Sequence, residues 1–190
     1  MVAAFASALA ARDPATAAHS ERVAHLVDRL AGWLGWDDAR LRALRIGAPL
    51  HDIGKVLVSE AILRKRGPLN PDELAEIRTH PAAGAKLIAA ADPARDALPL
   101  VLYHHEHWDG HGYPTGCAGS NIPECARLLS VADAFDAMTS TRPYRRALPV
   151  ERALSEIARC AGTQFDPDLA QAFLDAWDAG ALELRVVASH

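Results

Sequence analysis

The sequence predicts an all-α fold, a single-domain bundle of about seven to nine helices, and three observations carry that prediction. Apolar residues recur at three- and four-residue intervals almost throughout, and no run alternates convincingly with period two except the tail LELRVV. The composition is alanine-rich, while four Trp, four Phe and three Tyr are few for an all-β protein of 190 residues. Helix-start signals recur along the chain, with no repeats, low-complexity runs or internal linker between them. With half its residues hydrophobic the chain can bury a sizeable core, expected over roughly residues 10–178, with a tail at 179–190.

Taken in order, the opening MVAAFASALAA is apolar and ends in small residues. No Lys or Arg precedes it and the apolar run is short, which argues against a secretory leader. Val23, Leu26, Leu30 and Leu34 form one helical stripe, and Leu41, Leu44 and Ala48 begin a second. In NPDE, Asn70 stands as N-cap, Pro71 at the first helical position and Glu73 where it closes a capping box. Pro123, Pro149 and Pro167 mark further helix starts, the last behind the cap candidate Asp166. The one long irregular stretch, Asp109 to Glu124, is rich in Gly and Pro, and such a loop in a compact domain is more often functional than idle. No segment reaches the ~18 apolar residues that a membrane span needs. A net charge of −4 provides no general attraction to DNA or anionic lipid, so a phosphate ligand must be held by local positive charge. Cys117, Cys125 and Cys160 are odd in number and lack a CxxC spacing, which suits reduced thiols in a cytoplasmic protein.

The apolar stripes also carry polar residues. Four before Val23 is His19, on the same helical face; three after Ala48 is His51, with Asp52 beside it and Lys55 one turn further. A helix starting near Pro123 carries Leu129, Asp133 and Asp136 on one side. A lone histidine on an apolar face is usually a hydrogen-bonded core residue. Here the coincidence repeats: His51, Asp52, His80, His104, His105 and Asp133 supply four imidazoles and two carboxylates, and burying them unpaired is expensive. Around divalent ions the cost disappears, because neutral imidazole and carboxylate are donors for Fe, Mn, Zn and similar metals. An adjacent His-Asp pair suits a binuclear centre, in which roughly 3.5–4 Å between two ions serves in-line phosphoryl displacement. The chemistry implied is hydrolysis of a phosphate ester.

HDIGK (51–55), HHEHWDGHGYP (104–114), ADAFDAMTSTRPYR (132–145) and GTQFDP (162–167), in that order, resemble the HD-GYP subgroup of HD-domain phosphohydrolases. The resemblance runs from RDPATAAHSERV to about Leu174. It implies an all-helical, metal-dependent phosphodiesterase of bacterial second-messenger signalling that opens cyclic di-GMP to linear pGpG and, in many members, on to GMP. It makes His51, Asp52, His80, His104, His105 and Asp133 the ligands of two divalent ions, Fe or Mn first and Zn, Ni, Co or Mg after them, with His19 a further candidate. It gives Lys55 the substrate phosphate, Arg142 and Arg145 the other phosphate or a guanine, and Asp136 a place beside the metals or against the substrate. Family members with three metals carry a glutamate four residues before the histidine that aligns with His19; Ala15 stands there and has no ligating atom. Two metals are therefore expected, with cleavage of pGpG in doubt.

Within the loop, the family pattern places no ligand at His107 or His111, so both are expected to be exposed. Trp108 is expected to pin the loop to the bundle, whereas Tyr113 can stack on a base. The resemblance also implies docking of a diguanylate cyclase domain through the GYP loop, and a homodimer is a further expectation. The readings that compete are a cyclic-dinucleotide receptor or cyclase-docking module with weak activity, and a phosphodiesterase for another cyclic dinucleotide.

Overall fold

A computed structural model of the protein describes residues 2–90, 92–141 and 146–184 and is helical, with no strand among the described residues. The helices are α1 (Val2–Arg12), α2 (Pro14–Trp33), α3 (Asp38–Gly47), the single turn α4 (Glu60–Leu63), α5 (Pro71–Ile77), α6 (His80–Ala89), α7 (Leu98–Tyr103), α8 (Glu124–Thr139), α9 (Val150–Arg159) and α10 (Pro167–Asp178). In the tail, Leu182, Glu183 and Leu184 have no regular structure; the rest of LELRVV lies outside the described residues.

Local chemistry sets most helix starts. Asn70 and Glu73 form the expected reciprocal box at α5, with Glu73 N–H on Asn70 Oδ1 at 2.9 Å and Asn70 N–H on Glu73 Oε2 at 2.7 Å. Asp166 accepts from the Asp168 and Leu169 N–H groups ahead of Pro167. α2 starts in the same way, with Asp13 as cap and Pro14 first in the helix.

The second apolar stripe departs from expectation. Instead of running as one α-helix from Leu41 past His51, α3 ends at Gly47 and the chain tightens into 3₁₀ turns at Ala48–Leu50 and Ile53–Leu57. Pro49 has no N–H for the α-helical ladder, and its ring crowds the carbonyl four residues back. In a 3₁₀ turn residues three apart eclipse one another. Asp52 and Lys55 consequently face each other, with Nζ 2.5 Å from Oδ2.

Two apolar clusters flank this irregular segment. The larger joins Val23, Leu26 and Leu30 of α2 to Leu129 and Phe135 of α8, Ile157 of α9 and Phe173 of α10. The smaller joins Leu9, Leu50, Ile53, Ile88 and Val101. His19 lies one turn before Val23, His51 directly after Leu50 and Asp133 one turn after Leu129, so the polar residues lie where the clusters meet. Gly54 permits the approach of the 3₁₀ segment to α6: a Cβ there would lie 1.9 Å from the His80 carbonyl oxygen and 2.6 Å from the Gly84 nitrogen.

Since backbone rather than a flexible side chain meets that Cβ, Gly54→Ala must push α6 and His80 away. We expect a loss of about 1–3 kcal/mol in urea unfolding, together with weaker metal binding. Unchanged stability would mean that the two backbones separate without cost.

Candidate metal centre

Five of the candidate ligands sit at or beside helix ends, whereas His19 and Asp133 come from within α2 and α8. His80 opens α6, His104 caps the C-terminus of α7 with His105 next to it, and His51-Asp52 sits between two 3₁₀ turns. Three of the rings are held in the same way. Nδ1 of His51, His80 and His104 lies 2.7, 2.7 and 3.0 Å from the carbonyl oxygen three residues earlier, of Ala48, Ile77 and Val101. A carbonyl only accepts, so each Nδ1 carries the proton and each neutral ring turns its Nε2 lone pair inward.

Those lone pairs converge with carboxylates in two groups. Ligand atoms of Asp52, His80, His104 and His105 lie within 4.8 Å of one another, as do those of His19, His51 and Asp133. Asp52 stands between the groups: Oδ1 is 3.2 Å from His80 Nε2 and 3.8 Å from His104 Nε2, while Oδ2 is 3.5 Å from His51 Nε2. Asp133 Oδ1 lies 2.8 Å from His19 Nε2 and 4.0 Å from His51 Nε2. Two details show that the residues suit metal. His51 Nε2 and Asp52 Oδ1 are buried without a hydrogen bond, an expensive state for polar atoms unless a cation lies against them. The inward nitrogens of His80 and His104 are only 3.2 Å apart, two acceptors facing each other.

Electrostatics favours neutral His51, His80 and His105 and ionised Asp52 and Asp133, the states that metal binding requires. Burial pushes the His51 imidazole down to about 4, and burial likewise lowers His80 and His105. Burial acts to raise the Asp52 and Asp133 carboxyls but is outweighed, by Lys55 and His51 at Asp52 and by His19 at Asp133; both are held well below the usual carboxylate range. His19 is the exception among the imidazoles. Burial acts to lower it, yet its bonds to Asp133 and Asp136 prevail and raise it to about 9.

The structure thus brings His19, His51, Asp52, His80, His104, His105 and Asp133 together, with the Lys55 ammonium bound to Asp52. Of the two places expected of Asp136, beside the metals or against the substrate, the side chain takes the one beside the candidate ligands. It is buried behind His19, accepting from His19 Nδ1 at 2.6 Å and from Arg22 Nε and Nη2 at 2.7 and 2.9 Å, so its oxygens are already engaged. Tyr113 stacks on His105, with ring centroids 4.8 Å apart and planes 25° apart, and Arg78 covers its ring. Arg142 and Arg145 lie outside the described residues. Ala15 is exposed, not buried, and borders the same cleft as His19. His111 is exposed, whereas His107 is half-buried, contrary to expectation. Trp108 pins the loop as expected, with the Arg127 guanidinium of α8 over its ring, and the backbone N–H of the same residue binds the Gln164 carbonyl.

Two residues not singled out in the sequence complete the surroundings. Glu106, almost wholly buried, accepts from Thr115 N–H at 2.7 Å, Thr115 Oγ1 at 2.8 Å and Gly116 N–H at 3.1 Å, tying the GYP loop to the segment that carries His104 and His105. Nothing in HHEH distinguishes a buried glutamate from a solvated one. Arg22 was more legible, three residues after His19 and so on the same helical face. From His19, Arg22 and Lys55 a cleft of about 600 Å³ runs outward, bordered also by Arg12, Arg64, Lys65 and Arg66.

These shifts set a pH dependence for the metal-free protein. His51, at about 4 when folded and 6.5 unfolded, contributes stability that is full above pH 6.5 and lost as pH falls towards 4. His19, at about 9 when folded, contributes stability that is full below pH 6.5 and lost as pH rises towards 9. Urea midpoints should therefore peak near pH 6.5 and fall on both sides, each limb worth on the order of a few kcal/mol. A midpoint flat from pH 5 to 9 contradicts this.

The HD domain family matches residues 3–169 of the chain. The chain is 38% identical over 165 residues to a cyclic di-GMP phosphodiesterase of Thermotoga maritima, an overlap that spans 86% of this chain and 45% of that protein. It is 40% identical over 168 residues to the 3′3′-cGAMP-specific phosphodiesterase 3 of Vibrio cholerae, covering 88% of this chain and 36% of that one. The chain thus spans less than half the length of either relative. Among solved structures it resembles Bd1817, a protein of Bdellovibrio bacteriovorus described as HDG"Y"P, with a TM-score of 0.71 and 23% identity over 87% of this chain and 53% of that one. With HDIGK at the shared carboxylate and the GYP loop over the paired histidines, the chain belongs to the HD-domain family, in its HD-GYP subgroup.

Proposed function

We propose that the chain is a metal-dependent phosphodiesterase that hydrolyses cyclic di-GMP to linear pGpG. The observation that carries this reading is a carboxylate, Asp52, shared between two groups of metal-ligating atoms beside a cleft lined with cations. Two divalent ions fit the donor set, with Fe or Mn first for imidazole and carboxylate ligands; when bound, such ions lower the pKa of water and offset charge on phosphoryl oxygens. Asp52, His80, His104 and His105 would hold one ion; His51 and Asp133, with His19, would hold the other. Lys55 neutralises Asp52 and presents a point charge to a phosphate entering past Arg22. Arg142 and Arg145 grip the second phosphate or a guanine edge. Tyr113 is held against His105 and serves the loop more than a base. The loop is also where a diguanylate cyclase domain would dock.

Hydrolysis of another ring is the second reading, favoured by the 40% identity to a relative named for 3′3′-cGAMP. Chromatography of products after incubating Mn- or Fe-loaded protein with cyclic di-GMP, and separately with 3′3′-cGAMP, tests both. The expected result is pGpG as the main product of the first and slower turnover of the second. No product from either ring removes the hydrolase reading and leaves the receptor alternative.

Two variants probe the roles of individual residues. Lys55→Ala should lower kcat about 10²–10³-fold, the usual cost of losing a charge-stabilising donor, and retained activity would move phosphate binding elsewhere. Ala15→Glu places a carboxylate one turn from His19. It should raise metal content from two towards three and increase cleavage of pGpG to GMP. Because Ala15 is exposed, no burial penalty accompanies the change. Metal content fixed at two with an unaltered product ratio would detach Ala15 from the centre.

A further inference from the structure

His19 is oriented differently from the other imidazoles. Nδ1 of His51, His80 and His104 faces a backbone carbonyl three residues away, whereas Nδ1 of His19 lies 2.6 Å from the carboxylate of Asp136, on a different helix. That carboxylate is 1% exposed and cannot stand there unpaired without a large desolvation cost. Arg22 provides the pairing through a two-pronged contact, Nε on Oδ1 at 2.7 Å and Nη2 on Oδ2 at 2.9 Å, and Nη2 also reaches Ser140 Oγ at 3.0 Å. Ser140 Oγ in turn lies 3.2 Å from Asp136 Oδ2. The chain of contacts therefore runs Arg22, Asp136, His19, Asp133, from the wall of the cleft to the group formed by His19, His51 and Asp133.

We propose that Arg22 and Asp136 are positioning residues that fix His19 as a metal ligand, so that the affinity of the His19–His51–Asp133 site for its ion is set by a guanidinium in the cleft wall. A carboxylate behind a ligating imidazole fixes the ring's tautomer and direction and raises its basicity. The guanidinium keeps that carboxylate ionised and in register, which an ammonium cannot do with two parallel bonds. The other group, Asp52 with His80, His104 and His105, has no part in this chain. The two sites should therefore respond differently to the same substitution. The inference rests on the reading of both groups as metal sites, but not on the identity of the substrate.

The test is titration of Mn²⁺ into the metal-free 190-residue chain, followed by calorimetry, with metal analysis of the loaded protein. Arg22→Ala and Asp136→Asn should weaken one of the two ions by about 10–100-fold, leave the other within about threefold of the parent, and lower metal content from two towards one. Arg22→Lys keeps the buried carboxylate compensated should Arg22→Ala fail to fold, and it should recover part of the affinity but not all. Equal weakening of both ions, or neither, overturns the proposal. So does a variant whose only defect is a higher KM for cyclic di-GMP, which would make Arg22 a substrate contact. A parent that binds two ions, loses one selectively on Arg22→Ala and yet cleaves no cyclic dinucleotide supports the positioning role while removing the proposed activity.

Discussion

Burial of the Asp52 carboxylate among three imidazoles and one ammonium is the constraint on which the remaining structure depends. Its side chain is 2% exposed, and a carboxylate so far from water costs several kcal/mol unless charges and donors surround it. Lys55 supplies one charge at 2.5 Å, but Oδ1 keeps no hydrogen bond even with His80 at 3.2 Å. Such an atom is costly in a metal-free fold and well suited as a ligand, which couples metal binding to the stability of the whole centre.

That placement requires close backbone approach. α3 must stop at Gly47, the chain must tighten at Pro49, and Gly54 must pass His80 with no side chain between them. The same irregularity brings His51, Asp52 and Lys55 into the centre from one short segment, whereas a continuous α-helix would have spread them around its circumference. Carbonyls released at chain turns then serve as acceptors for Nδ1. The orientation of the His51, His80 and His104 rings is thus supplied by backbone, whereas that of His19 is supplied by a side chain.

The two groups of ligands differ in their support. Asp52, His80, His104 and His105 are braced by the Gly54 crossing and by the loop that Glu106 ties down, with Tyr113 lying on His105. His19 and Asp133 instead come from the long helices α2 and α8 and are braced by Arg22 and Asp136. The second group borders the basic cleft, so charge that attracts an anionic ligand and charge that orders a ligand side chain come from the same wall.

The helical class and the set of polar residues on apolar faces were legible in the sequence, because helical period and capping chemistry are local. Asn70 with Glu73 and Asp166 with Pro167 needed only near neighbours. The convergence of His51, His80, His104, His105 and Asp133 could be anticipated because their burial has no economical explanation apart from a shared cation. What the sequence could not reveal depends on distant partners. His19 and Asp136 are 117 residues apart, so which of its two expected places Asp136 takes, behind an imidazole or against a substrate, follows from the packing of α2 on α8. The burial of Glu106 depends on how the loop folds back through Thr115 and Gly116, and His107 is half-buried by that folding. The exposure of Ala15 belongs to the shape of the cleft, not to helical period. The amino-acid order by itself determined which groups carry the chemistry; tertiary packing decided which carboxylate is shared, which is hidden and which imidazole depends on a guanidinium, because desolvation and pairing are properties of the assembled interior.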